Sequence, residues 1–117
     1  MKANVKRAAV IAGAVLMLSG VPVLLRTAPL AGQERDARAA RGEKVWVSQG
    51  CYGCHLIGKF GTPIGPELSR LGARYEASYL RQWLRDPQSV RPTAHMPKLE
   101  LSQEEIDSLA VYLASLK

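Results

Sequence analysis

The chain has 117 residues, enough for one small domain. Its 16 Lys and Arg against 10 Asp and Glu give a formal charge of +6, but Lys2, Lys6, Arg7 and Arg26 sit in or beside the N-terminal leader, which leaves 6 − 4 = +2 for the rest. So small a surplus, with few aromatics and none interleaved with basic runs, argues against a nucleic-acid surface, and two cysteines that share one short motif leave no disulfide framework.

Lys2, Lys6 and Arg7 precede an uncharged run, Ala8–Leu25, of 18 residues. As a helix it would span about 27 Å at roughly 1.5 Å per residue, the lower limit for a bilayer and longer than the usual core of an export signal. Residues 1–7 therefore read as a cytoplasmic segment and 8–25 as a transmembrane anchor, with a cleaved signal peptide as the alternative. No clear A-x-A site follows, and no cysteine follows for a lipid anchor. Basic residues ahead of the run place everything after it on the outer side. Residues 26–41 read as a linker and the start of the first helix. Pro29 and Gly32 mark the linker from Thr27 to about Glu34, and the helix runs from Asp36 to Gln49, favoured by Ala37, Ala39 and Ala40 and stopped by Gly50. Val45 and Trp46 give it an apolar patch. Residues 42–117 form the domain proper. Without the leader about 85 residues remain, a marginal size for a core.

Cys51-Tyr52-Gly53-Cys54-His55 follows that helix. Leu56 to Arg74 is a loop punctuated by Gly58, Gly61, Gly65-Pro66 and Gly72, too long for so small a domain unless something large organises it. Glu76 to Arg85 is a second helix with Tyr79, Leu80, Trp83 and Leu84 as its buried stripe, ended by Asp86-Pro87. A second loop carries His95-Met96-Pro97. Ser102 and Glu105 then form a capping box for a third helix, whose Ile106, Leu109, Ala110 and Leu113 share one face. No strand pattern or internal repeat is visible.

The C-x-x-C-H spacing carries the chemistry. Residues i, i+3 and i+4 of a helical turn lie on one side, so two thiols can add to the vinyl groups of a porphyrin while the histidine comes up under the iron. Cys51 and Cys54 are thus the expected attachment points of one covalent haem c, and His55 is the expected axial ligand. Gly53 leaves room for the macrocycle. A thioredoxin-like pair lacks its βαβ context, half a zinc site lacks partners beyond His95, and a Cys51–Cys54 disulfide closes too small a loop to stabilise much. A sixth iron ligand has few candidates. Met1 and Met17 belong to the leader, which leaves Met96 in the exported part. Its soft thioether favours ferrous iron. The alternatives are Met96 as a packing residue and His95 as the ligand.

The pattern resembles class I cytochromes c. Gly42-x-x-x-Trp46 is similar to the family's first helix, Leu109-x-x-Tyr112-Leu113 to its last, and Ile64-Gly65-Pro66-Glu67-Leu68 to its G-P-x-L segment. The resemblance implies an all-α cytochrome c fold, with three main helices and long loops wrapped round one haem, preceded here by one N-terminal transmembrane helix. It implies that the Pro66 carbonyl orients His55 and that Leu68 covers the ring, with Tyr79, Trp83 and Leu101 also in the haem pocket. Trp83 through Val90 and Met96 through Ser102 resemble cytochrome c domains of haem–copper oxidase subunit II and the small anchored subunit of nitric oxide reductases. The expected function is one-electron transfer on the outer, periplasmic face of the inner membrane. The partner is a membrane-bound redox complex, and no small-molecule substrate turns over, so the chain is a carrier and not an enzyme. The competing classes are a gas-binding, sensing or peroxidatic haem protein with a displaceable Met96, and a structural subunit whose haem is incidental. Lys59, Arg85, Arg91 and Lys98 are candidates to ring the haem edge and steer acidic partners.

Overall fold

A computed structural model describes residues 30–117; the segments expected at 1–7 and 8–25 lie outside the described residues. Helix α1 spans Ala31–Ser48, the hairpin strands β1 and β2 span Leu56–Ile57 and Phe60–Gly61, α2 spans Ala77–Arg85, α3 spans Pro87–Val90, and α4 spans Gln103–Ser115. Single 3-10 turns occupy Cys51–Gly53 and Leu71–Ala73. Among the described residues no helix is long and apolar enough to cross a membrane.

α4 is the centre. It packs against both α1 and α2, and Leu109 and Ala110 on it are 1% and 0% exposed. Ile106, Leu113 and Ala114 join them, met by Trp46 from α1, Leu80 and Leu84 from α2, and Leu68 from the loop. Burying each large apolar side chain contributes about 1.5–3 kcal/mol. α1 crosses α4 at Gly42, where an added Cβ would strike the Ser108 carbonyl and lie 2.6 Å from Tyr112 Cβ. The helices therefore approach backbone to backbone, which requires glycine there.

Polar contacts fix the same arrangement. Ser102 caps α4 by accepting from Glu105 N–H, while Glu105 accepts from Ser102 N–H at 2.8 Å, the reciprocal box read from the sequence. Glu105 also accepts from Gln49 Nε2 at 3.1 Å, tying the end of α1 to the start of α4. Arg81 Nε donates to Asp107 at 2.8 Å, and Arg85 donates to Gln103 at 2.9 Å, joining α2 to α4. Arg85, a candidate for the haem-edge ring, is exposed and makes this contact with α4.

Three expectations need correction. α1 begins at Ala31, so the linker expected to reach Glu34 is shorter. The single glycine, Gly32, costs about 1 kcal/mol, and the surrounding Ala, Gln, Glu and Arg, with an Arg38–Glu34 pair at 3.5 Å, outweigh it. Asp86-Pro87 ends α2 but also starts α3: the Asp86 side chain accepts from Ser89 N–H and Pro87 sits at the first helical position. The loop after Leu56 holds a hairpin of two-residue strands, too short to show a period, turned at Gly58 with φ +60°.

Gly42→Ala is expected to destabilise by about 1–3 kcal/mol through overpacking, whereas Gly32→Ala, with nothing within 4 Å of the new Cβ, is expected to stabilise by about 0.5–1 kcal/mol; denaturant unfolding of the two variants checks the pair. Ser102→Ala should lose about 1 kcal/mol in the same measurement. The Ser102 backbone and hydroxyl, then Gln49, hold the Glu105 carboxyl below its usual value. That contribution is therefore complete above the ordinary carboxylate range and is lost as pH falls through the depressed value. Glu105→Gln should flatten this limb of a stability–pH profile.

Candidate haem site

The turn after α1 presents the motif. Gly50 adopts φ +67°, the left-handed conformation that ends the helix. The amides of Cys54 and His55 then both donate to the Cys51 carbonyl, at 3.2 and 3.0 Å, so residues 51–55 close into one tight coil. Cys51 is half-buried and Cys54 exposed, and both are free. Burial pushes the Cys51 thiol above its ordinary value, against a smaller lowering by its own backbone, and Cys54 adds to the rise. Nothing lies within 4 Å of a Cβ built on Gly53.

His55 is held from the following loop. The amides of Ile64 and Gly65 donate to the Cys54 carbonyl at 3.2 and 2.6 Å, and Leu68 N–H donates to the Leu56 carbonyl at 2.9 Å. These bonds on either side of His55 bring the Pro66 carbonyl to 2.8 Å from His55 Nδ1. A carbonyl can only accept, so Nδ1 carries the proton and Nε2 keeps its lone pair for a metal. Gly65 completes the cradle: an added Cβ would come 2.7 Å from Cε1 and 3.0 Å from Nδ1 of His55. Trp46 faces the imidazole at 6.3 Å between ring centres. Ser69 N–H donates to the Glu67 carboxylate at 2.8 Å and its hydroxyl accepts from Gly58 N–H at 2.6 Å, fixing this loop on the hairpin.

A second group forms on α2 and the loop before α4. Met96 is half-buried, and its Sδ receives the indole N–H of Trp83 at 3.2 Å. Trp83 lies beside Tyr79 at 6.5 Å and 24°, Tyr79 stacks on Tyr75 at 4.7 Å and 15°, and the Arg91 guanidinium stands 6.0 Å over the Trp83 ring. Leu101 is half-buried against the same core, and Leu68 is buried within it. His95 is exposed, as are Lys59 and Lys98.

The structure thus brings Cys51, Cys54, His55 and Pro66 together, and separately Tyr79, Trp83 and Met96, both groups against one core. These residues fit a haem. The oriented imidazole offers a nitrogen, the thiols share its turn, and half-covered Ile57, Leu71, Tyr79, Met96 and Leu101 supply apolar lining. Among the described residues no three His, Cys, Asp or Glu side chains converge to cage a metal ion. Sequence reasoning missed Gly65 as the floor under His55 and the Trp83–Met96 bond. Gly65 stands next to a proline already singled out, whereas the pairing of Trp83 with Met96 leaves no local signal.

A family profile described as cytochrome c matches residues 39–117. The chain belongs to the cytochrome c family. As a cytochrome c it carries a covalently bound haem c with its iron and is an electron carrier. It is 38% identical over 91 residues to cytochrome c oxidase subunit 2 of Alkalihalophilus pseudofirmus, a match covering 70% of this chain and 27% of that protein. It is 28% identical over 86 residues to a nitric oxide reductase subunit of Stutzerimonas stutzeri, covering 68% of this chain and 59% of that one. The chain therefore spans about a quarter of the oxidase protein and somewhat more than half of the reductase one. The c-type cytochrome SorU of Sinorhizobium meliloti superposes with a TM-score of 0.55 at 21% identity, over 69% of this chain and 92% of that one, a likeness of fold.

Gly65→Ala is expected to push the imidazole off the Pro66 carbonyl. Expressed in cells that mature such cytochromes, it should give a lower ratio of haem to protein absorbance than the parent, while Lys59→Ala should leave that ratio unchanged.

Proposed function

We propose that this cytochrome c is a membrane-anchored one-electron carrier on the periplasmic side of the inner membrane, acting as a subunit of, or donor to, a respiratory oxidoreductase. In this reading Cys51 and Cys54 would hold the haem by thioethers, His55 Nε2 and Met96 Sδ would ligate its iron, and Pro66, Leu68, Tyr79, Trp83 and Leu101 would line the pocket. When bound, the haem supplies a ferric/ferrous couple. The protein's part is to hold both axial positions, exclude water from them and keep the geometry alike in the two oxidation states.

The observation that carries this reading is the N–H of Trp83 on the sulfur of Met96. A methionine that only fills a gap makes apolar contacts in any of several rotamers. This sulfur is oriented by a donor, in a loop stiffened by Pro97 just before α4. With His55 and Met96 both held for the iron, no position would be left open for a gas or peroxide, and the oriented sulfur supports a carrier over a gas-binding or peroxidatic protein. The matches to an oxidase subunit and a reductase subunit support a partner in the same membrane. So does the tether. With α1 starting at Ala31, residues 26–30 separate it from the run 8–25 and reach at most about 17 Å at roughly 3.4 Å each. The largely exposed first half of α1, from Ala31 to the buried Gly42, adds about 17 Å at roughly 1.5 Å per residue. A domain tethered within a few tens of ångströms of the bilayer meets partners in that bilayer.

Met96→Leu in the full-length matured protein should abolish the weak red charge-transfer band of a ferric iron–methionine bond, speed carbon monoxide binding to the ferrous form and lower the reduction potential. Retention of the band would remove Met96 from the iron. His95→Ala should change none of the three. The full-length protein should leave membranes only with detergent; release by high salt alone would count against the anchor.

A further inference from the structure

Trp83 is held between a cation and a sulfur. Its N–H donates to Met96 Sδ at 3.2 Å, and the Arg91 guanidinium carbon stands 6.0 Å over the ring. Neither end is placed by chance. Arg91 follows α3, and its amide donates to the Pro87 carbonyl at 2.9 Å, so the Asp86-capped turn sets where it sits. The Ala94 amide donates to the Arg91 carbonyl at 2.9 Å, turning the chain back toward Met96. Tyr79 stacks beside the indole.

We propose that Arg91, acting through the indole of Trp83, is a positioning residue that tunes Met96 as a ligand. A cation over a π face draws electron density from the ring. The indole N–H becomes a stronger donor, and its hydrogen bond takes more of the sulfur's lone-pair density. A thioether so engaged gives less to ferric iron, which loses more than ferrous iron does, and the potential rises. The effect differs from that of a bare positive charge, which also favours the ferrous form but acts through space and needs no indole. Arg91 is exposed, so a through-space term is screened by solvent and salt. The proposal rests on Met96 being bound to the iron.

A double-mutant cycle on the full-length matured protein separates the routes. Trp83→Phe keeps a ring for Arg91 but removes the N–H. It should lower the potential by up to a tenfold change in the oxidised-to-reduced ratio, which is about 59 mV for one electron. Arg91→Gln should lower the potential in the parent, by no more than about a two- to fivefold change in that ratio, since about 0.5–1 kcal/mol is the whole of an exposed cation–π contact, and should leave it unchanged in the Trp83→Phe background. An equal Arg91→Gln shift in both backgrounds would overturn the proposal in favour of through-space charge, and no shift in the parent would overturn it outright. The red iron–methionine band is recorded first. Its absence from the parent would defeat the ligand assignment itself, whereas a band present throughout with an uncoupled cycle defeats only the role of Arg91. Should Trp83→Phe fail to fold, the proton resonance of the Trp83 N–H decides: it should move upfield in Arg91→Gln, and an unmoved resonance would overturn the proposal.

Discussion

The hydrogen bond from His55 Nδ1 to the Pro66 carbonyl is the constraint on which the site depends. It fixes one tautomer of one imidazole, and with it the nitrogen left to face a metal. It is itself the product of backbone pairing, since Gly65 and Leu68 are bonded to the residues flanking His55. The loop has little choice of where to put that carbonyl. Gly65 then removes the one side chain that would push the ring away. The geometry follows from main-chain bonds, and side chains refine it.

The same economy governs the fold. A core built on α4, with one wall from α1 and another from α2, leaves a rim of half-covered apolar side chains that include Cys51, Tyr79, Met96 and Leu101. A domain of about this size buries too little by itself to be comfortable. A large planar apolar group against that rim would supply the missing contact, and loading and folding would then reinforce each other. The polar ties Gln49–Glu105, Arg81–Asp107 and Arg85–Gln103 join α1 and α2 to α4.

What could be read from the residues was whatever is local. The coil Cys51–His55, the Ser102–Glu105 box and the faces of α2 and α4 each lie within a few positions of chain, where spacing dictates geometry. Gly32 and Pro29 signal a break that sets the expected start of α1 too late, because the cost of one exposed glycine in a run of strong helix formers is small. Asp86-Pro87 with Ser89 three positions on is both a stop for α2 and a cap followed by a proline that starts α3. The hairpin at Leu56–Gly61 is shorter than any period. The Trp83–Met96 bond joins residues thirteen positions apart through a turn that only the folded chain defines. Nor does anything local reveal that Gln103 lies opposite Arg85.

The most direct test is the intact mass of the full-length protein, matured in cells competent for c-type cytochromes and then fully denatured, with the modified peptide mapped. The account predicts a retained haem on the peptide containing Cys51 and Cys54, joined through both sulfurs. A haem that washes away on denaturation, or a peptide with both thiols free, would contradict it.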